Sequence, residues 1–465
     1  MMRHATPSRI VHLLLAASML AGCAPMAPRY ERPAAPVPTE FPNAIAPGGG
    51  PAAADQPWQD FFTEPALRTL IALALRNNRD LRIAVLNIES AQAQYQLRRA
   101  DLWPTVNAGA TSSRQSGGDA NTSSLYTAGL TVSSYELDLF GRVRSLSDAA
   151  AAELLATEEA RKAVQISLVA SVATQYLALV ADEELLDLTL RTLRTREESF
   201  KLTQLRFDNG VSSELDLRQA QTLVEAARVT LAQLRRQREL DRNALVLLVG
   251  QALPEWPVGP GRIDGMTLTD VPAGLPSDVL LRRPDVVQAE QQLIAANANI
   301  GAARAAFWPR ILLTGSVGTA STQLSDLFKN GAWSFATQLL QPIFDAGRNR
   351  ANLAVAQVQR DIAVAQYERA IQTAFRDVAD ALAGRATLDE QLRATQAQAQ
   401  AEQARYSLSD LRFRNGVSSS LELLDAERSL FAAQQAVVQT RLALLQNRVS
   451  TYRALGGGNR GTARE

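Results

Sequence analysis

The sequence has very few of the side chains that most enzymes use for catalysis. Its 465 residues include two histidines, His4 and His12, and one cysteine, Cys23, all at the start of the chain. If the first 22 residues are removed and the thiol of Cys23 is modified, neither histidine nor free thiol remains. Ser-His-Asp triads, cysteine nucleophiles and zinc sites built on cysteine or histidine are then excluded. We expect no catalytic residue, no metal site, no cofactor and no enzymatic activity.

The chain also lacks an excess of charge of either sign and lacks long apolar runs. It has 48 basic and 47 acidic residues, so no basic field favours a nucleic-acid partner. After residue 22 we find no segment that approaches the ~20 apolar residues of a membrane-spanning helix. If the chain crosses a bilayer, the sequence predicts that it does so as β-strands.

Residues 1–22 have the pattern of a signal peptide. Arg3, His4 and Arg9 precede a short apolar stretch, which ends in the lipobox Leu-Ala-Gly-Cys at positions 20–23. We expect a diacylglycerol on the thiol of Cys23; the alternative is an ordinary signal with an incidental cysteine. Ala24, where an aspartate would favour retention in the inner membrane, favours sorting to the outer membrane.

The remaining chain carries an internal duplication. The stretch LRFDNGVSSELDL at 205–217 recurs as LRFRNGVSSSLEL at 411–423, with ten of thirteen positions identical at an offset of 206. Trp-Pro at 103–104 recurs at 308–309, and Gly-Arg at 141–142 recurs at 347–348. Landmarks that keep an offset of 205 or 206 over this length indicate two tandem repeats of one structural unit.

Each repeat is predicted to contain a helix, two strands, a very long helix, a tight turn and another long helix. Before the repeats, residues 23–59 are rich in proline, alanine and glycine, which predicts a lipid-anchored extended tether. The predicted boundaries are as follows: repeat 1 at 60–254, with strands 105–116 and 124–135, long helix 143–208 and helix 212–250; an inter-repeat linker at 255–284; repeat 2 at 285–458, with strands 310–321 and 331–342, long helix 348–413 and helix 418–456; and a tail at 459–465.

The long helices predict coiled-coil packing. Residues 143–207 contain no glycine or proline, and residues 348–413 contain only Gly384. Apolar residues repeat every seven positions in the first long helix, at Val172, Leu179, Leu186, Leu193, Phe200 and Phe207. A plain coiled-coil rod would also show heptads, but it would not place strand pairs at matched points of both repeats.

The strand pairs alternate apolar with small polar residues, which fits the span of a membrane barrel. A periplasmic hairpin would show a similar pattern. Four strands cannot close a barrel, because an open edge in lipid leaves backbone groups unpaired. Two copies would give eight strands with a filled interior, whereas three would give twelve strands and room for a water-filled lumen. The sequence therefore predicts a cyclic homotrimer.

Four further stretches resemble signatures of a known family: ELDLFGR at 136–142, LRRPD at 281–285, AANANIGAAR at 295–304 and YRALGGG at 452–458. Together they resemble the TolC/OprM-like outer-membrane factors, specifically the NodT-type lipoproteins of resistance-nodulation-division efflux systems. The resemblance implies a mainly α fold with a membrane β-barrel section. The expected assembly is a trimeric 12-stranded β-barrel continued by a 12-helix coiled-coil α-barrel.

The resemblance also implies function and partners. We expect a passive exit channel for small toxic or amphiphilic molecules, anchored in the outer membrane and extending into the periplasm. Its expected partners are a periplasmic adaptor and a proton-driven transporter of the inner membrane. Two alternatives stay open: an outer-membrane duct for type I protein secretion, and a non-conducting coiled-coil structural lipoprotein.

Site residues follow from the family's pattern at the turns between the long helices. These turns are expected to be adaptor-docking tips, at Asn209, Gly210, Val211, Ser212 and Ser213, and at Asn415, Gly416, Val417, Ser418 and Ser419. Any tight helical hairpin would also require many of these residues. The resemblance further implies a pore constriction at Asp410, with Arg405 and Asp208 as a possible ion pair beside it. The alternative for Asp410 is a solvated surface carboxylate.

Overall fold

A computed structural model of the chain describes residues 26–42, 56–116, 122–254, 262–269 and 277–457. The predicted signal peptide, the lipidation site Cys23 and the tail at 459–465 lie outside the described residues. The helices are α1 (Trp58–Phe61), α2 (Pro65–Asn77), α3 (Arg79–Ala100), α4 (Arg142–Asp208), α5 (Glu214–Val249), α6 (Pro284–Ala305), α7 (Arg348–Arg414) and α8 (Ser420–Ala454). The strands are β1 (Val106–Ser116), β2 (Thr122–Leu137), β3 (Arg310–Ser321) and β4 (Gly331–Leu340). The fold is mainly α with one sheet, and the order of elements repeats, as predicted.

The compact units of the fold are not the two repeats. The first unit, called here the strand unit, comprises Met1–Ala35, Leu86–Glu159 and Val287–Arg369. The second, called the helix unit, comprises Pro36–Val85, Ala160–Val286 and Ala370–Glu465. Each unit takes segments from both repeats, because equivalent elements of the two repeats pack side by side. The predicted division at 255–284 is therefore a division of the sequence and not of compact bodies.

The strand unit contains a four-stranded antiparallel sheet in the order β1-β2-β3-β4. The two repeats meet where β2 pairs with β3, and Gly129 lies opposite Gly318 there. A Cβ on either glycine would meet the backbone of the other strand, so glycine permits this close approach. β2 is longer than predicted, and β4 ends at Leu340, before Pro342, which has no N–H to donate to a ladder.

The start of the described chain is packed rather than free. Arg32 makes two hydrogen bonds of 2.6 and 2.9 Å to the carboxylate of Glu290 on α6, and the hydroxyl of Tyr30 donates to the same carboxylate at 3.0 Å. The side chain of Asn297 donates to the carbonyl of Pro28 at 2.7 Å. We call residues 26–33 the strap. The strap contains no helix or strand, and α6 supplies partners for its side chains and backbone. The lipid-anchored tether over 23–59 stays a prediction.

Helices α2 and α3 meet at a break in the chain at Asn78. The side chain of Asn78 accepts from the amide of Leu81 at 3.0 Å and donates to the carbonyl of Leu248 at 2.9 Å. A buried asparagine that caps one helix and binds the end of another satisfies polar groups that the break exposes. The break therefore fixes the junction of α2, α3 and α5.

The core of the helix unit follows the predicted heptads along α4. Val172, Leu179 and Leu186 are buried, whereas Phe207 at the end of the helix is 36% exposed. By length and composition, α4 also contains an 18-residue stretch apolar enough to cross a membrane, so the prediction that none follows residue 22 was wrong. Of that stretch, 61% is buried inside the protein, which is typical of a core helix.

Candidate functional site at the helical tips

Helix α4 ends at a glycine with left-handed backbone geometry, in the turn that leads to α5. Gly210 has a φ of +71°, a conformation that glycine adopts without strain. The amide of Gly210 donates to the carbonyl of Phe207 at 2.9 Å, and that of Val211 donates to Arg206 at 2.8 Å. This pair of hydrogen bonds is a Schellman motif, which satisfies carbonyls that the helix end would leave free.

The turn between α7 and α8 has the same geometry. Gly416 has a φ of +70°, its amide donates to Phe413 at 3.0 Å, and the amide of Val417 donates to Arg412 at 2.9 Å. Asn415 donates to the carbonyl of Leu411 at 2.7 Å, and Asn209 makes the same bond to Leu205. The asparagine and glycine of both turns therefore have a structural role that is independent of any partner.

The first residues after the two turns differ. Ser213 and Asp216 form a capping box at the start of α5, in which each side chain bonds to the other residue's amide. Ser419 caps α8 without a side-chain hydrogen bond, and the next residue, Ser420, instead donates to the Asp216 carboxylate. Hydrogen bonds from Ser213 and then Ser420 hold the pKa of Asp216 below its ordinary value. Asp216 thus joins the two tips of one chain.

Apolar side chains at the tips face solvent in matched positions. Val211 is 75% exposed and Val417 is 68% exposed, and each is flanked by exposed leucines at equivalent positions of the two repeats: Leu205, Leu215, Leu411 and Leu421. An isolated chain gains nothing from exposing these residues, and the turn geometry does not require them. They are the part of the tip that a docking partner could cover.

Each of the three candidate constriction residues has a polar partner within the chain. Arg405 binds Asp425 at 2.6 Å and Glu402 at 3.3 Å, while Asp208 accepts from the side chain of Gln204 at 2.8 Å. The expected pair of Arg405 with Asp208 is not formed within the chain, because Asp425 on α8 lies closer to the guanidinium.

Asp410 forms an ion pair with Arg414, one turn later on α7, at 2.9 Å. Its side chain keeps 27% of its surface exposed, so it is half-buried, unlike a freely solvated carboxylate. The carboxylate lies near Tyr406, the pKa of whose hydroxyl is raised by burial and then by Glu427 and Asp410. Asp410 is therefore placed on the tip side of α7, within reach of other charged groups.

The sequence analysis missed the contacts that bind the two hairpins together. Asp216 with Ser420, and Arg196 with Glu427, join residues more than 200 positions apart. These four residues differ from their counterparts at the offset of 206, but so do most positions of the two repeats, so the sequence carried no signal for these contacts.

A second exposed surface is the sheet of the strand unit. Trp333, Phe335 and Leu339 of β4 are 80%, 64% and 62% exposed, and they alternate with polar or small residues along the strand. Beyond β4, Ile343 and Phe344 are each 90% exposed. Contiguous exposed apolar side chains of this size indicate a surface that contacts lipid or protein.

Comparison with known proteins agrees with this geometry. A family model described as "Outer membrane efflux protein" matches residues 70–251 and 275–457, one match for each repeat. The chain is 47% identical over 462 residues to the probable efflux pump outer membrane protein TtgC of Pseudomonas putida, covering 97% of this chain and 95% of that protein. It is 46% identical over 467 residues to the outer membrane protein OprJ of Pseudomonas aeruginosa, covering 97% and 96%.

Among solved structures, the chain is similar to the open state of the MtrE outer membrane channel of Neisseria gonorrhoeae. The TM-score is 0.88 at 42% identity, covering 95% of this chain and all of that one. Identity of this extent over nearly the whole of both chains shows common descent and a common fold. The chain therefore belongs to the outer membrane efflux protein family, as the resemblance of its motifs predicted.

Proposed function

We propose that this chain is the outer-membrane exit channel of a tripartite efflux pump and conducts small toxic or amphiphilic molecules passively. The observation that carries the proposal is its 47% identity, over 97% of the chain, to TtgC, which is named as an efflux pump outer membrane protein. Related proteins of Pseudomonas putida are named for toluene and solvent efflux. These names favour efflux over type I protein secretion, and such a channel would catalyse no reaction.

The sheet supports assembly as a homotrimer. β1 and β4 are its edge strands, and edges in lipid must be paired. Two further copies would pair both edges and close a 12-stranded barrel. The outward apolar side chains of that barrel would contact lipid. The exposure of Trp333 and Phe335 suits that position.

The strap supports lipid anchoring at Cys23. Met26 lies at the end of α6, where its carbonyl accepts from Arg304 at 3.3 Å, and β3 begins at Arg310. Cys23 is three residues before Met26, so its lipid would start at most about 10 Å away. An acyl chain attached there would enter the membrane close to the first residues of the sheet.

The tips would dock a periplasmic adaptor, which in turn would connect the channel to a proton-driven transporter of the inner membrane. Matched exposed apolar residues at both turns, Val211 and Val417, suit a partner that repeats around the channel axis. Asp410, half-buried near the tip, would form the constriction of the pore in three copies.

Conductance and efflux together test the proposal. Purified lipidated protein in planar bilayers should form channels, and Asp410→Ala should raise the open probability, whereas Glu390→Ala, which removes an exposed carboxylate of the same helix, should not. Absence of channels from both parent and Asp410→Ala would favour the structural lipoprotein. Conduction without any lowering of toxicant accumulation in cells, but with export of a protein substrate, would favour the secretion duct.

A further inference from the structure

Each tip is preceded by the same two residues, Arg206-Phe207 in the first repeat and Arg412-Phe413 in the second. Within the chain, one arginine and one phenylalanine of this set meet. The guanidinium carbon of Arg206 lies 4.9 Å from the centre of the Phe413 ring, and both side chains are half-buried. This is the distance of a cation–π contact between α4 and α7.

The other two members of the set, Phe207 and Arg412, make no such contact with the residues that the structure describes. The side chain of Phe207 is 36% exposed. Arg412 is 55% exposed, and its guanidinium lies 3.8 Å from the carboxylate of Glu422. Both therefore present a free face to solvent at the tip.

The offset of 206 maps Arg206 onto Arg412 and Phe207 onto Phe413. The pair used inside the chain, Arg206 with Phe413, thus has an identical counterpart in Arg412 with Phe207. Neighbouring residues of an α-helix point about 100° apart, so Arg412 and Phe413 face different sides of their hairpin. Phe413 meets Arg206 of the first hairpin of its own chain, whereas Arg412 is left exposed on another side of the second hairpin.

We propose that Arg412 stacks on Phe207 of the partner subunit, so that this exposed face is a contact for a second copy of the same chain. The proposal rests on the proposed trimer. In a ring of three chains the six hairpins alternate between repeats, and each hairpin meets one neighbour within its chain and one in the next. The contact between subunits then repeats the contact inside each chain.

The remaining contacts of the internal junction are not repeated. Arg196 and Glu427 map onto Glu402 and Gln221, and Asp216 and Ser420 map onto Glu422 and Glu214. The junction between subunits consequently lacks the buried ion pair and the serine–carboxylate bond of the internal junction. Arg412 with Phe207 is the one pair of the set that the duplication retains unchanged.

Cross-linking between differently tagged chains tests this contact. Full-length chains carrying Phe207→Cys and Arg412→Cys are co-expressed, and membranes are treated with a short bis-methanethiosulfonate reagent, because the α-carbons of stacked side chains lie farther apart than the ~6 Å of a disulfide. A cross-linked dimer should form only when both variants are present. Each variant expressed alone is the control for cross-linking through Cys23.

The matched control uses the internal pair. Chains carrying Arg206→Cys mixed with chains carrying Phe413→Cys should give no dimer, since that contact lies within one chain. Equal dimer yields from both mixtures would overturn the proposal, as would no dimer from the Phe207→Cys and Arg412→Cys mixture when the two tags co-purify. Failure of the tags to co-purify would overturn the trimer itself, and the contact with it.

Discussion

The guanidinium of Arg196 donates to the carboxylate of Glu427 at 2.8 Å, and both side chains are almost fully buried, with 4% and 8% exposed. Arg196 also donates to the carbonyl of Leu223 at 3.0 Å and lies over the ring of Phe431 at 5.1 Å. One arginine therefore connects α4, α5 and α8. Burial raises the pKa of Glu427 above its ordinary value, and Arg196 opposes that rise.

Removing one charge of this pair should be costly. Glu427→Gln leaves the Arg196 charge buried without a counter-ion, which we expect to lower the free energy of unfolding by about 3–5 kcal/mol. Glu214→Gln is the matched control, because its ion pair with Arg218 is exposed and should contribute less than about 1 kcal/mol. Denaturant unfolding in detergent, followed by circular dichroism, measures both. Equal losses in the two variants would contradict this account.

The side chain of Asn447 should be the reason that Gly384 cannot be replaced by alanine without a loss of stability. A Cβ at Gly384 would lie within 2.8 Å of the Asn447 side-chain Cγ, while Asn447 donates to the carbonyl of Ala381 at 3.1 Å. Gly384→Ala should destabilise the protein by about 1–3 kcal/mol through overpacking. In an Asn447→Ala background the same change should instead stabilise by up to about 1 kcal/mol, the helix propensity of alanine over glycine. The double-mutant cycle is measured by thermal unfolding, and additive effects would refute the clash.

The absence of a Cβ at Gly301 should be required for the strap to pack on α6. A Cβ there would meet the backbone nitrogen of Ala27 at 2.7 Å, so Gly301→Ala should lift the strap and speed tryptic cleavage after Arg29. Gly315→Ala is the control, because its Cβ would meet no atom closer than 3.6 Å. The cleavage rates are measured by mass spectrometry of samples taken at successive times. Unchanged cleavage in Gly301→Ala would show that the strap detaches independently of α6.

Asp182 should make the helix unit sensitive to pH. Burial, and then hydrogen bonding to Asp241 with further repulsion from Glu183, raises the pKa of its carboxyl to about 7. A pKa raised on folding contributes stability below the unfolded value of 3.8, and this contribution is lost as pH rises through about 7. Asp182→Asn should therefore raise the unfolding temperature most at pH ~9, less at pH ~5 and least below pH ~4.

The control for Asp182 is Asp187→Asn, which removes an exposed carboxylate of the same helix that pairs with Arg191. It should shift the unfolding temperature little, and equally at both pH values. A parent protein whose unfolding temperature does not fall between pH ~5 and ~9 would contradict the assignment to Asp182.

Much of the fold could be predicted from residues alone because its determinants are local. Long stretches without glycine or proline predicted α4 and α7, alternation predicted the strands, and the glycine and serines of each turn predicted the hairpins. The identical turns at Gly210 and Gly416 also revealed the duplication. Such signals depend on residues that are close together in the chain, so they can be recognised from the sequence alone.

Tertiary structure alone decided which distant groups meet. The sequence placed Arg405 near Asp208, but the packing of α7 on α8 brings Asp425 to it instead. The composition of 23–59 predicted an extended tether but gave no sign that Arg32 of the strap would bind Glu290 of α6. A side chain selects its partner by position across packed helices, and that position depends on the rotation and register of every helix between them.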